Sequence, residues 1–232
     1  MNTSTNKTLG FFWKQWVKPM IVVVAIIAPL RSSLADWNDV PTGSMKPTIV
    51  EGDRILVNKL AYDLKVPLTT HRLAQWGDPQ RGDIVVCLSP SDGTRLVKRV
   101  IALPGDTIAM QNNTLFVNGI AAAYSMADEV IINHIPENEQ EHHVILQEDI
   151  LDHQHAVMFT PGLSSPHTFQ TVTIPADSYA VMGDNRDNSF DSRLFGFVSR
   201  EQILGRSRRV VLSLDYDNFF LPRAERWWKK LN

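Results

Sequence analysis

Leu96-Val97-Lys98-Arg99-Val100-Ile101-Ala102-Leu103 reads as a β-strand with two adjacent cations set into it. Side chains alternate across a strand, so Lys98 shares a face with Leu96 and Val100, and Arg99 with Val97 and Ile101. Whichever face is core, one cation points toward it. Burial disfavours a charged lysine and lowers its pKa by ~3–5 units from ~10.4. That brings a neutral amine within reach of general-base work near neutral pH. The plainer alternative is a rim strand with both cations in water, and the alternation leaves both open.

The same grammar recurs along the chain. Glu51-Gly52-Asp53 feeds Arg54-Ile55-Leu56-Val57, and Arg81-Gly82-Asp83 feeds Ile84-Val85-Val86-Cys87. The turn Pro104-Gly105-Asp106 follows the opening strand, and Thr114–Val117, Thr171–Ile174, Tyr179–Met182, Phe195–Val198 and Arg209–Leu212 are further apolar runs. Many short strands joined by Gly and Pro turns, with little amphipathic helix, predict a mainly β domain. At 232 residues, 44% hydrophobic and net charge −2, the chain can bury a large core and gives no reason to expect a nucleic-acid partner. Its one cysteine, Cys87, excludes an intramolecular disulfide and sits in an apolar run as core.

Ahead of the first strand, Met20 to Leu30 is unbroken apolar sequence. Extended to residues 17–34 it nears the ~20 residues that cross a bilayer, with Lys18 and Arg31 able to snorkel at its ends. Trp13, Trp16 and Trp37 fit interfacial belts. Lys7, Lys14 and Lys18 precede the run, whereas Asp36 and Asp39 follow it, which places the N-terminus in the cytoplasm. The expected layout is a cytoplasmic segment 1–16, a transmembrane anchor 17–34 and an extracytoplasmic domain 35–232. A cleaved secretory signal is the rival, although Ala28-Pro29-Leu30-Arg31 lacks a small-x-small site.

Directly after the anchor comes Val40-Pro41-Thr42-Gly43-Ser44-Met45-Lys46-Pro47-Thr48. Proline fixes φ and glycine relaxes it, so this is a held, irregular loop presenting Ser44. A nucleophilic serine needs a base. The segment matches neither G-x-S-x-G nor S-x-x-K, because Pro47 occupies the lysine position. Histidine is poorly placed. Six of the seven histidines fall in the acidic stretch 124–170, which has weak periodicity and reads as an insertion with solvated histidines. His142-His143 and His153-x-His155 match no standard zinc spacing, so no metal or other cofactor is expected. Lys98 is the remaining candidate base. Residues 183–193, Gly-Asp-Asn-Arg-Asp-Asn-Ser-Phe-Asp-Ser-Arg, form the densest polar cluster. They lack the glycine and glutamate of a calcium loop, and by default are a surface turn of Asp–Arg pairs. The tail, with Phe219, Phe220, Trp227 and Trp228, reads equally as a membrane-surface element or a packed helix.

Together, 41–48 with Gly52-Asp53, 81–85, Lys98-Arg99-Val100 with 104–106, and 183–193 resemble four ordered blocks of the type I signal peptidases, membrane-bound Ser-Lys proteases. The resemblance spans most of residues 40–200 and misses about 120–170 and the tail. It implies a β-rich catalytic domain, of the kind shared with LexA-like autoproteases, behind an N-terminal transmembrane helix. It also implies Ser44 as nucleophile, Lys98 as general base and Ser189 as the hydroxyl that orients the lysine amine. Asp191 and Arg193 would brace the site, with Asp184 and Arg99 as further support. The family's oxyanion hole pairs the nucleophile's backbone N–H with a hydroxyl two residues earlier. Here that residue is Thr42 where many members carry serine, which keeps the hydroxyl and stiffens χ1. Val40, Met45 and Val97, beside the two catalytic residues, are expected to line shallow apolar pockets. The implied reaction is cleavage of signal peptides of secretory preproteins at small-x-small sites by a monomer in the cell membrane, without a cofactor. Three alternatives remain: a soluble repressor-type autoprotease, a conjugation-type protease with one substrate, and an inactive binding module on the same fold.

Overall fold

The structure is a computed structural model and describes residues 11–231 apart from 67, 68, 70, 134, 164–166 and 217. Most of the expected cytoplasmic segment, and His134, lie outside the described residues. The chain enters through a π-helical turn, Trp13–Val17, and an α-helix, Lys18–Ser33, and turns into its first strand at Ala35. Sixteen α-helical residues span about 24 Å, short of the ~30 Å hydrocarbon core. No helix among the described residues is long and apolar enough to cross a membrane. On this helix Met20 to Val24 and Ile27 are exposed.

Gly52 and Gly82 adopt φ of +86° and +83°, turning the chain just ahead of the strands Asp53–Asn58 and Ile84–Leu88. The resulting eight-stranded antiparallel sheet runs Ala35–Asp39, Asp53–Asn58, Ile203–Asp215, Ile84–Leu88, Arg95–Ala102, Ser178–Met182, Val198–Ser199 in spatial order, with Leu221–Pro222 added to Ile203–Asp215. The 13-residue strand Ile203–Asp215 shifts register against both neighbours, and such bulges bend a sheet. The sheet curls until Asn38 on its first strand accepts a hydrogen bond from Arg95 on its fifth, at 3.2 Å.

Both faces of the central hairpin are core. Ile84 and Val86 pack with Met45, Ile49, Ile55 and Val57, while Val85 and Cys87 pack with Val100, Tyr179 and Val181. The opening strand therefore buries both of its cations, Lys98 at 2% exposure and Arg99 at 1%. The rim-strand alternative fails because there is no wet face to choose.

The stretch 124–170 is more ordered than its composition suggests. Ala123–Met126, Val144–Ile150 and His153–Phe159 form a three-stranded antiparallel sheet, and Phe169–Thr173 pairs with Thr107–Gln111 in another. The expectation of solvated histidines fails at His155, which is buried opposite Glu148 in register. The tail is not a helix. It runs back along the Ile203–Asp215 strand, with Val210 donating to the Lys229 carbonyl at 2.9 Å, and leaves Phe219, Phe220, Trp227 and Trp228 exposed.

Candidate active site

Ser44 lies on a single 3₁₀ turn, Gly43–Met45, entered from an extended Thr42. Such a turn rotates successive side chains by about 120°. Ser44 consequently faces out while Met45, fully buried, joins the core beneath. The expectation that Met45 lines a pocket is corrected by that rotation. Val40 and Val97 do line the groove that opens over Ser44.

This groove, of about 660 Å³, runs between residues 37–44 on one side and 94–98 on the other, with Asn188 and Phe190 closing one wall. Its first wall is the edge strand of the sheet. The second is the part of Arg95–Ala102 that extends past Arg99, the last residue paired with the Ser178–Met182 strand. The groove is thus bounded by two strand edges with backbone groups available for pairing. Phe190 is held edge-on to Phe195 at 5.2 Å between ring centroids.

On the groove floor, Lys98 Nζ lies 2.7 Å from Ser44 Oγ. Burial pulls the Lys98 amine below the ordinary lysine range, opposed by the Asp191 carboxylate and then Asp184. With the amine neutral, the same separation carries a hydrogen bond from Ser44 Oγ–H to the Nζ lone pair, the geometry a general base needs.

The 183–193 cluster frames this pair and is far from a surface turn. Asp191 is fully buried and accepts from Arg193 Nε at 2.9 Å and Nη2 at 2.8 Å, and from the Gly183 N–H at 3.0 Å. Burial alone would push the Asp191 carboxyl up, but Arg193 holds it below the usual range. Asp184 accepts both Arg99 Nε at 2.9 Å and Nη2 at 2.7 Å, and Thr48 Oγ1–H at 2.5 Å. Its carboxyl too is held down by Arg99 against the effect of burial. Asn185 clamps the turn that carries Ser44, its N–H donating to the Ser44 carbonyl at 3.1 Å and Nδ2 to the Gly43 carbonyl at 3.1 Å. The arrangement around Ser189 differs from expectation. The amine's hydrogen bond goes to Ser44, while the buried Ser189 Oγ lies by the Asp191 carboxylate and helps hold it ionised. Thr42 is exposed at the groove edge beside Ser44.

Behind this frame lies a group no motif announced. Glu148, Arg186 and His155 are buried together, with both Arg186 Nη atoms 2.6 Å from the Glu148 carboxylate and His155 Nε2 3.2 Å from it. The one available signal was positional: Glu148 and His155 flank a two-residue turn at equal distance, as cross-strand partners do.

These blocks and their geometry converge with the comparisons to known proteins. The family model described as signal peptidase, peptidase S26, matches residues 13–212. The chain belongs to that family. Signal peptidase I of Pseudomonas aeruginosa is 35% identical over 213 residues, covering 86% of this chain and 72% of its own. Signal peptidase I of Pseudomonas fluorescens is 35% identical over 211 residues, with the same coverage. Signal peptidase I P of Bacillus subtilis subsp. natto is 33% identical over 201 residues, covering 86% of this chain and 89% of its own. As a member of peptidase S26 the chain is a serine peptidase, a hydrolase.

Proposed function

We propose that this signal-peptidase family member removes N-terminal signal peptides from exported preproteins at small-x-small sites, with Ser44 as nucleophile and Lys98 as general base. The observation that carries the mechanism is the 2.7 Å Lys98–Ser44 contact on the floor of the groove, with the lysine desolvated. Neutral Lys98 takes the Ser44 proton as Oγ attacks the scissile carbonyl. Lys98 passes that proton to the leaving amine and, neutral again, activates the water that hydrolyses the acyl-enzyme. Thr42 Oγ1–H and the Ser44 N–H receive the developing oxyanion. Asp191 and Arg193, with Asp184 and Arg99 behind them, brace the pocket that holds the amine. An extended peptide pairs with the two strand edges, and side chains flanking the scissile bond meet Val40 and Val97 on the groove walls.

The helical entry, with exposed apolar side chains and tryptophans 13, 16 and 37, anchors the domain once in the cell membrane, N-terminus inside. The anchor holds the groove at the interface where signal-peptide ends emerge. The test is cleavage of a small-x-small signal-peptide substrate by the purified chain, with Ser44→Ala and Lys98→Ala alongside. Each variant is expected to fold and to lose cleavage. Full activity in either one refutes the dyad.

A further inference from the structure

The catalytic groove runs on past the dyad to an end that the cleavage chemistry does not use. There Trp37, Asn38 and Asp39 stand on one wall and Thr94 and Arg95 on the other. Burial alternates along the first wall. Trp37 and Asp39 are exposed, Asn38 is half-buried and Val40 is buried, so Asn38 and Val40 share the inward face. By the same alternation along Arg95–Ala102, Arg95 shares a face with Val97. Asn38 and Arg95 are therefore the next rung outward from Val40 and Val97.

That rung is bridged. Arg95 Nη1 reaches across the groove and donates to Asn38 Oδ1 at 3.2 Å. A guanidinium carries five N–H donors and no acceptor. Here the Asn38 amide oxygen is its one hydrogen-bond partner among the described residues, and no carboxylate among them pairs with it. Asp39 on the facing wall is engaged elsewhere, 2.5 Å from Arg54 Nε. The groove thus ends in an exposed cation anchored only by a neutral acceptor.

The next step rests on the signal-peptide reading of this groove. The small side chains at the first and third positions before the scissile bond then face the Val40 and Val97 rung. Alternation directs the fifth toward Asn38 and Arg95. A carboxylate there displaces the neutral Asn38 oxygen, because charge-assisted, bidentate pairs with a guanidinium are the stronger ones. An ammonium in the same place meets a like charge. We propose that Arg95 is a specificity-determining residue of the cleavage reaction, selecting an acidic residue and disfavouring a lysine at the fifth position before the scissile bond.

The experiment measures kcat/KM of the full chain in detergent on three signal-peptide substrates that differ only in Glu, Gln or Lys at that position. Glu is expected to exceed Lys by about fivefold, with Gln between them, as suits one solvent-exposed charge pair. The ratio should narrow as salt is raised. Arg95→Gln should bring the Glu-to-Lys ratio to about one, and Arg95→Glu should invert it. Asn38→Asp gives Arg95 a carboxylate of its own and should shrink the ratio with the arginine in place, which carries the test if the Arg95 variants do not fold. The same exchange at the fourth position, which alternation turns to the other face, should change little. Failure of the parent chain to cut the Gln substrate refutes the signal-peptide reading, and this inference with it. With the Gln substrate cut, equal rates for Glu and Lys, a preference that survives Arg95→Gln, or an equal effect at the fourth position overturns the proposal alone.

Discussion

Gly183→Ala is a test of how tightly the frame holds the nucleophile. A Cβ built on Gly183 lies 2.4 Å from the Ser44 carbonyl oxygen, 2.2 Å from Ser189 Oγ and 2.6 Å from Ser189 Cβ. Ordinary contact begins near 3.4 Å, so about 1 Å must be found on the Ser44 side alone. Gly183 does not have a positive φ, so the methyl adds crowding without backbone strain. The atoms in its way cannot swing aside cheaply. One is the backbone of the nucleophile, already clamped by the Asn185 N–H at 3.1 Å, and the other is a buried hydroxyl beside Asp191.

A misplacement of about 1 Å at reacting atoms costs on the order of 10²-fold in rate. That is about 2.7 kcal/mol of transition-state stabilisation. Overpacking of this kind lowers stability by about 1–3 kcal/mol. The assay is kcat and KM on a signal-peptide substrate, with urea unfolding of the same samples. The expected result is a folded protein whose kcat falls about 100-fold while KM moves little, because the groove walls are untouched. Gly77→Ala is the control, since its nearest neighbour is 3.8 Å away and it should behave as wild type. A folded Gly183→Ala enzyme with near wild-type kcat would show that the frame tolerates displacement and refute the reasoning.

Three further outcomes follow from the charges and hydroxyls around the dyad. In Asp191→Asn the carboxylate that opposes Lys98 deprotonation is gone, so the acid limb of kcat/KM against pH should move to lower pH. The same variant leaves Arg193 buried and unpaired, at a stability cost of about 3–5 kcal/mol; a limb that moves to higher pH contradicts the electrostatic assignment. Thr42→Ala should lose roughly 3–4 kcal/mol of transition-state stabilisation with little change in KM, whereas Thr42→Ser should be tolerated; equal behaviour of the two removes Thr42 from the oxyanion hole. His155 is depressed in the folded state, so below the ordinary histidine pKa of ~6.5 the unfolded chain binds the extra proton and stability falls with pH. Urea midpoints between pH 7 and pH 5 should therefore drop in the parent and flatten in His155→Gln.

How much of this was legible in the sequence depended on whether the information was local. Strand alternation at 96–103 pointed one cation inward, and both went in, because alternation within one strand cannot say whether the other face is covered. The helical entry starts ahead of residue 17, with the π-helical turn Trp13–Val17, and its α-helix Lys18–Ser33 follows directly. The 144–159 hairpin was missed for a physical reason. Its turn places Leu151 and Asp152 at φ of +52° and +64°, a conformation that Asn-Gly usually announces. The contacts around it hold Leu151 there instead, with Leu151 packed against the main core. Met45 was misplaced because adjacency in sequence says nothing of direction on a 3₁₀ turn.

The misread stretch is also the one that changes how the site is understood. Residues outside every motif reach the nucleophile's loop by three separate routes. Glu139, on the short helix Glu137–Gln140, takes Lys46 Nζ at 2.8 Å, two residues from Ser44, while Glu51 takes it at 2.9 Å. Burial would lower the Lys46 amine, but those two carboxylates outweigh it and hold it charged. Met158 forms a bridge with Asn185, which clamps the Ser44 carbonyl, and Met158 also exchanges backbone hydrogen bonds with Asp184 and Arg186 at 2.8 Å. Glu148 neutralises Arg186 one residue further on. A buried arginine without that carboxylate would be an uncompensated charge behind the dyad. The motif block alone therefore cannot keep its own arginine buried. The groove's rigidity is a joint property of the recognisable blocks and the region between them, and exchange of residues 137–159 should disturb Ser44 even with every motif residue in place.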